Sequence, residues 1–178
     1  MSATTENDLT EGGCLKPGAK KLWKFVHHED FQYEAKILKG RNCSFNFLEI
    51  VDGMITVKGS YNESRGYAWD GCTPKFNLLH ITWGNFDGKM IKHKETVSGK
   101  TTYHPMTYYA SMVHDVLYQY KRCVPVTRKE ADLIFYQQLK EAKFMWAWFF
   151  YAGVRLFGWW FRGWKYKSPS QIEEFIKE

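Results

Sequence analysis

The sequence predicts an α+β fold, with a small antiparallel β-sheet from the N-terminal half packed on a C-terminal helical hairpin and an aromatic helix. Three observations predict it. Period-two alternation and an Asp-Gly turn signal mark residues 31–70. Apolar residues recur at helical spacing through the segment after residue 105, divided by a single Val124-Pro125-Val126 link. Strands come first and helices later, the order expected when helices are segregated to one face of an antiparallel sheet. A chain of 178 residues suits one domain with a proper core. We therefore expect a flexible tail over 1–20 and a single domain over 21–178, mainly β over 21–104 and mainly α over 105–178.

Taken in order, Phe31, Tyr33, Ala35 and Ile37 alternate with polar residues as in a half-buried strand. Lys39-Gly40-Arg41-Asn42 reads as a turn. A second strand follows, with Phe45, Phe47, Glu49 and Val51 on one face and Leu48 and Ile50 on the other. Asp52-Gly53 is a strong hairpin signal, and Met54 to Val57 is its return strand. Gly59 to Gly66 is a loop, and Tyr67-Ala68-Trp69 is a short strand running into Asp70-Gly71-Cys72-Thr73-Pro74. Leu78, Leu79, Ile81 and Trp83 suit a strand or a buried loop, Asn85 to Gly88 a turn, and Lys89 to Lys100 a basic, mobile stretch.

Pro105 is expected to open the first helix, which stops near Lys121-Arg122, basic residues suited to a helix C-terminus. Thr127-Arg128-Lys129-Glu130 is a capping box, in which Thr127 caps and Glu130 reaches back. It starts a second helix to about Lys143, with Ala131, Ile134, Phe135, Leu139 and Ala142 as its apolar stripe. Phe144 to Trp164 is aromatic on nearly all sides, interrupted by Arg155 and Arg162. It reads either as a core helix followed by an aromatic turn region or as an interfacial contact carried by Trp159, Trp160 and Trp164. Ser168 to Lys177 is expected to be a short amphipathic helix.

The net charge of +6 favours anionic surfaces. It is spread along the chain without a basic arm, so nucleic acid ranks behind an anionic lipid or membrane surface and a protein partner. Hydrophobic content of 44% argues against global disorder. Four cysteines lie far apart, with no CxxC spacing for zinc, and read as reduced thiols in a cytosolic setting. The N-terminus shows no charged-then-apolar signal segment.

The residues with chemical potential gather on the first helix. His114 and Tyr118 share one side of it, and Asp115 points about 100° round from His114. An ionisable pair in an apolar helix costs free energy unless each group finds a partner. A short link favours antiparallel packing of the two helices, which sets Asp132 within ~3 Å of the height of His114. Asp132 is thus the candidate to face His114 across the pair. A histidine backed by a carboxylate can activate water near neutral pH, and a second carboxylate can hold a hard cation such as Ca²⁺. The bland alternative is an ordinary helix with capped or solvated polar groups.

Asp70 to Pro74 is a second candidate, as a third wall of a cation site or as a simple turn ending the sheet. Cys72 lacks a basic neighbour to activate it. His27-His28-Glu29-Asp30 reads better as a solvated loop than as a metal site.

Tyr67 to Pro74, Tyr108 to Tyr118, Thr127 to Phe135 and Tyr151 to Gly158 resemble the ordered blocks of a bacterial and phage family, domain of unknown function 1353, over roughly residues 31–160. His114-Asp115-Val116-Leu117-Tyr118 also resembles the His-Asp-x-x-Tyr helix of phospholipase A2. Asp132-Leu133-Ile134-Phe135 resembles the second block of the disulfide-free phospholipase domain of parvovirus capsids. That likeness implies His114 as water-activating base, Asp132 as its orienting carboxylate and Tyr118 as support for Asp132. It implies Asp115 as a Ca²⁺ ligand; the Gly-rich calcium loop of that class is absent here, and Asp70, with the turn to Pro74, is the candidate substitute.

Two functions are expected on these grounds. One is a phage-associated phospholipase or ester hydrolase acting at a lipid interface. The other is a non-catalytic phage structural or host-interaction protein using its aromatic C-terminal surface. The expected location is the host cytoplasm, peripherally on a membrane or in the virion.

Overall fold

In the computed structural model the described residues are 5–6, 21–22, 25–60, 66–69, 71–72, 76–78, 81–83, 88–94, 101–157 and 164. They form twelve short strands followed by three helices. The strands are β1 (Thr5–Glu6), β2 (Lys21–Leu22), β3 (Phe25–His27), β4 (Phe31–Glu34), β5 (Asn42–Ser44), β6 (Leu48–Val51), β7 (Met54–Val57), β8 (Tyr67–Trp69), β9 (Phe76–Leu78), β10 (Ile81–Trp83), β11 (Met90–Lys94) and β12 (Thr101–Pro105). The helices are α1 (Tyr108–Gln119), α2 (Arg128–Glu141) and α3 (Ala147–Phe157). The fold class is α+β, with strands in the N-terminal half and helices in the C-terminal half. β4, β7, β6 and β5 make one four-stranded antiparallel sheet in that order, and β3–β8, β9–β10 and β11–β12 pair as separate antiparallel ribbons.

The central hairpin follows from its turn. Asp52 and Gly53 both take positive φ, 47° and 85°. That is the backbone of the two-residue turn whose twist matches the flanking strands, and it sets Val51 opposite Met54 and Leu48 opposite Val57. On β6 the buried face is Leu48 and Ile50, while Val51 is exposed. The opposite choice would bury the Glu49 carboxylate, and an unpaired charge costs far more to desolvate than Val51 gains.

Three expectations for the β half are corrected. The strand from Phe31 ends at Glu34, and Lys36–Leu38 is one turn of 3-10 helix. This turn buries Leu38 and leaves Ile37 exposed, because the chain must bend into the turn that meets Asp52. The stretch from Phe45 is broken as well. Ser44 ends β5, and a Phe45 N–H to Leu48 carbonyl bond turns the chain into β6. The basic stretch after Lys89 is a hairpin in part, since β11 pairs with β12 from Met90–Pro105 to Lys94–Thr101. The expected tail before residue 21, the turn at 85–87, residues 95–100 and the helix at 168–177 lie outside the described residues, residues 5–6 and Gly88 apart.

Pro105 closes β12 and does not open α1; the helix starts after Thr107, whose carbonyl accepts the Ser111 N–H at 2.8 Å. α2 ends two residues before Lys143. Lys143 takes φ 56°, its N–H donates to the Lys140 carbonyl, and the Phe144 N–H donates to the Leu139 carbonyl, both at 2.9 Å. This pair of bonds is a Schellman stop. It turns Phe144 onto the same core as Leu139.

Two apolar cores result. Leu48, Ile50, Ile55, Val57 and Trp69 from the strands pack with Met112, Val113, Val116 and Leu117 of α1 and Ile134 of α2. Ala110, Phe135, Leu139, Phe144, Ala147 and Cys72 form the second, among the three helices. At ~1.5–3 kcal/mol for each fully buried aliphatic side chain, these cores outweigh any single polar contact and set the helices against the sheet. Polar contacts then fix register. The Trp69 indole N–H donates to Ser111 Oγ at 3.0 Å, and the Phe47 N–H donates to the Tyr120 hydroxyl at 3.2 Å.

Candidate functional site

The site lies between α1 and α2, and the start of α2 determines its height. Thr127 and Glu130 form the capping box expected from sequence. Arg41, from the turn before β5, grips the same Glu130 with two parallel bonds of 2.8 Å and donates to the Pro125 carbonyl at 3.0 Å. Burial is the largest influence on the Glu130 carboxyl and pushes it up, but Arg41 and Thr127 together hold it below its ordinary range. Cap and clamp thereby anchor the first turn of α2 to the sheet, and Asp132 follows directly after that turn.

α1 and α2 fold back on each other, so that Tyr118 and His114 meet Asp132, His114 also meets Phe135, and Ala110 sits with Leu139. His114 Nε2 lies 3.0 Å from Asp132 Oδ1. The Tyr118 hydroxyl donates to the same oxygen at 2.6 Å. On the other oxygen, Oδ2, Arg155 of α3 donates from Nη1 at 2.9 Å, and Arg128 Nε stands at 3.7 Å. Arg128 also donates from Nη2 to the Arg155 carbonyl at 3.0 Å, tying α3 to α2. The Asp132 side chain is 0% exposed, while that of His114 keeps 10% and that of Arg155 34%.

The electrostatics follow from this arrangement. Burial, the largest influence, pushes the Asp132 carboxyl up; His114, Tyr118 and Arg155 together pull it below the ordinary carboxylate range. Burial first, and then the Asp132 charge, hold the Tyr118 hydroxyl well above its ordinary value, so it is a donor to that carboxylate. An ionised carboxylate only accepts, so Nε2 of His114 carries the hydrogen in this contact. In the neutral ring the lone pair then sits on Nδ1. The ring is held between Tyr118 at 4.2 Å and Phe135 at 4.7 Å.

The structure thus brings together His114, Asp132 and Tyr118. Asp115 looks elsewhere. It lies close enough to β8 that, after burial, its charge is the next influence raising the Tyr67 hydroxyl. Asp70, Trp159 and Trp160 lie outside the described residues, as do Thr73 and Pro74. Among the described residues, no group of three or more His, Cys, Asp or Glu side chains is placed to hold a metal ion. Trp164 is half-buried over Tyr118 at 4.9 Å and donates its indole N–H to the Val126 carbonyl, so its contacts here are internal. Cys72 is buried in the helical core. His27 does not sit in a solvated loop: it ends β3, buried, with Nδ1 3.4 Å from the Tyr108 hydroxyl.

Two members of the site escaped the sequence reading, and both had a signal. Arg155 is a lone charge in an apolar helix and needed a partner. Arg128 stands four residues before Asp132, the spacing of a helical ion pair. What hid Arg155 was the packing of α3, which no local pattern specifies.

Neither the curated proteins nor the solved structures gave a match. Among the described residues, no helix is long and apolar enough to cross a membrane. A family model matches residues 98–154, the span that holds β12, α1 and α2 with His114, Tyr118, Arg128 and Asp132 and ends next to Arg155. Over this segment the chain is similar to the family described as Protein of unknown function (DUF1353).

Proposed function

We propose that the protein is an ester hydrolase acting on a lipid substrate, with His114 as the base that activates water. The observation that supports this reading is the buried hydrogen-bonded chain from Tyr118 through Asp132 to His114. It commits Nε2 to a carboxylate and leaves Nδ1 for a reactant. In the proposed reaction Nδ1 takes a proton from water as the water oxygen bonds to the ester carbonyl carbon. Asp132 stabilises the imidazolium, and Tyr118 keeps the carboxylate in place. When the tetrahedral species collapses, the carbon–alkoxide bond breaks and His114 returns its proton to the leaving oxygen. Acid and alcohol result, and the base is restored.

The likeness to phospholipase A2 raises Ca²⁺ at Asp115 with Asp70. The described residues supply no cluster of ligands that fits it, so no step of the proposal runs through the ion, and Ca²⁺ dependence is a separate question for the assay. The test is hydrolysis of phospholipid vesicles with Ca²⁺ or with chelator, comparing wild type with His114→Ala and Asp115→Asn. We expect His114→Ala to abolish turnover. Equal rates in wild type and His114→Ala on every lipid class would remove the proposal.

A second reading is favoured by the saturation of Asp132, whose oxygens face His114, Tyr118, Arg155 and Arg128. Such a network also suits a structural tie in a non-catalytic phage protein that binds a partner through its aromatic surface. A stable fold with no hydrolysis in the same assay favours that reading.

A further inference from the structure

Helix α3 and the turn before it are apolar on both sides. The inward side is Phe144, Ala147, Phe150 and Val154, packed on Met106, Tyr136 and Leu139. The outward side carries Met145 at 85% exposure, Trp148 at 61%, Phe149 at 60% and Leu156 at 66%. Phe149 and Leu156 are two turns apart and share a face. Gly153 lies between them, and a Cβ added there meets nothing within 4 Å, so the face is open at its middle. A surface helix of a soluble protein carries polar residues on its outer side; one apolar all round is covered or lies in lipid.

We infer that this outer face of α3 seats the protein on an anionic bilayer, with the helix lying in the plane of the headgroups. Three features choose lipid as the occupant. The run from Phe144 to Val154 holds no charged residue, and it is bounded by Lys140 and Lys143 before and Arg155 after. Lys140 and Lys143 are exposed, while the neighbouring Glu141 accepts from the Tyr33 hydroxyl at 3.1 Å on the sheet side. Cations beside an aromatic face match phosphate headgroups above acyl chains. Trp is the residue most at home at that boundary. At ~1.5 Å per residue an eleven-residue helix spans about half of a bilayer core, so it lies on the membrane and does not cross it. Through Arg155 the same helix grips Asp132, which holds the His114 site at a fixed distance from the lipid. The inference rests on the lipid-hydrolase reading for its purpose, and on the helix itself for its argument.

The test is co-sedimentation of the full chain with vesicles of phosphatidylglycerol and phosphatidylcholine, or of phosphatidylcholine alone. The key variant is Gly153→Glu, which enters open space, improves helix propensity and sets a negative charge in the middle of the face. We expect wild type to sediment with the anionic vesicles and Gly153→Glu to lose roughly tenfold or more in partitioning. Its melting temperature should be at or above that of wild type. Lys140→Gln with Lys143→Gln should remove the preference for anionic over neutral vesicles. Wild type left in the supernatant with both vesicles overturns the inference, as does Gly153→Glu binding like wild type. A wild-type dimer dissociated by Gly153→Glu also overturns it, because the face then belongs to a second copy. His114→Ala should sediment as wild type does. Binding without hydrolysis would therefore remove the hydrolase alone, and hydrolysis of a soluble ester without binding would remove the docking alone.

Discussion

His114 Nε2 on α1 and Asp132 Oδ1 on α2 lie 3.0 Å apart across eighteen residues of sequence, with the carboxylate fully buried. Two helices have therefore carried a charge into a core where only its partners make it tolerable. Asp132→Ala leaves His114 and Arg155 facing a cavity and should cost ~3–5 kcal/mol, as breaking a buried pair does. Asp132→Asn keeps the shape and should cost less. Urea unfolding of both variants checks the order. If hydrolysis is found, Asp132→Asn should still lower kcat by ~10²-fold or more, because the imidazolium loses its counter-charge.

Tyr118→Phe isolates one bond of the network. The ring contacts with His114 and Trp164 survive, and the 2.6 Å bond to Asp132 is lost. A hydrogen bond to a charged group is worth ~1.5–3 kcal/mol. Urea unfolding should show a loss in that range with an unchanged m-value.

The acid limb of stability should trace to Asp132 and Glu130. Both carboxyls are held below their ordinary values in the folded chain. The unfolded state therefore binds their protons first as pH falls. Their stabilisation is complete above the unfolded values, about 3.9 and 4.3. It is lost as pH drops through the lower folded values. Stability measured from about pH 6 downward should fall most steeply below about pH 4. Asp132→Asn and Glu130→Gln should each flatten that fall.

Gly53→Ala tests the hairpin. A Cβ there meets the Ala35 carbonyl oxygen at 3.0 Å and the Lys39 nitrogen at 3.2 Å, on a residue whose φ is +85°. Left-handed backbone alone costs a non-glycine residue ~1–2 kcal/mol. Thermal unfolding should show at least that loss, since both neighbours are backbone and cannot swing aside.

Much of this was legible in the sequence because its signals are local. Asp52-Gly53 carries its turn in two residues, and the hairpin β6–β7 follows it. Thr127 and Glu130 form the capping box their spacing implies. His114 and Asp132 could be matched because helix rise converts residue counts from one short link into heights. Where a local signal is weak, composition misleads. The lysines of 89–100 mark a solvated tract by composition, yet an exposed, basic segment can still pair its backbone, as β11 does with β12. Pro105 suits a helix start by its fixed φ, but proline is also accepted on an edge strand, and β12 is one.

By itself, then, the sequence determined the α+β order, the central hairpin, the start of α2 and the meeting of His114, Tyr118 and Asp132, each a matter of short-range geometry. Only the tertiary structure decided what else surrounds Asp132. Arg155 comes from a third helix, and Arg41 holds Glu130 from a turn of the sheet. Trp164 is folded back onto Tyr118. Tertiary structure also decided that α3 turns one apolar side to the core and leaves the other in the open. The physical reason is that backbone codes act over a few residues, whereas these contacts depend on how buried area, desolvated charge and helix docking balance across the whole chain.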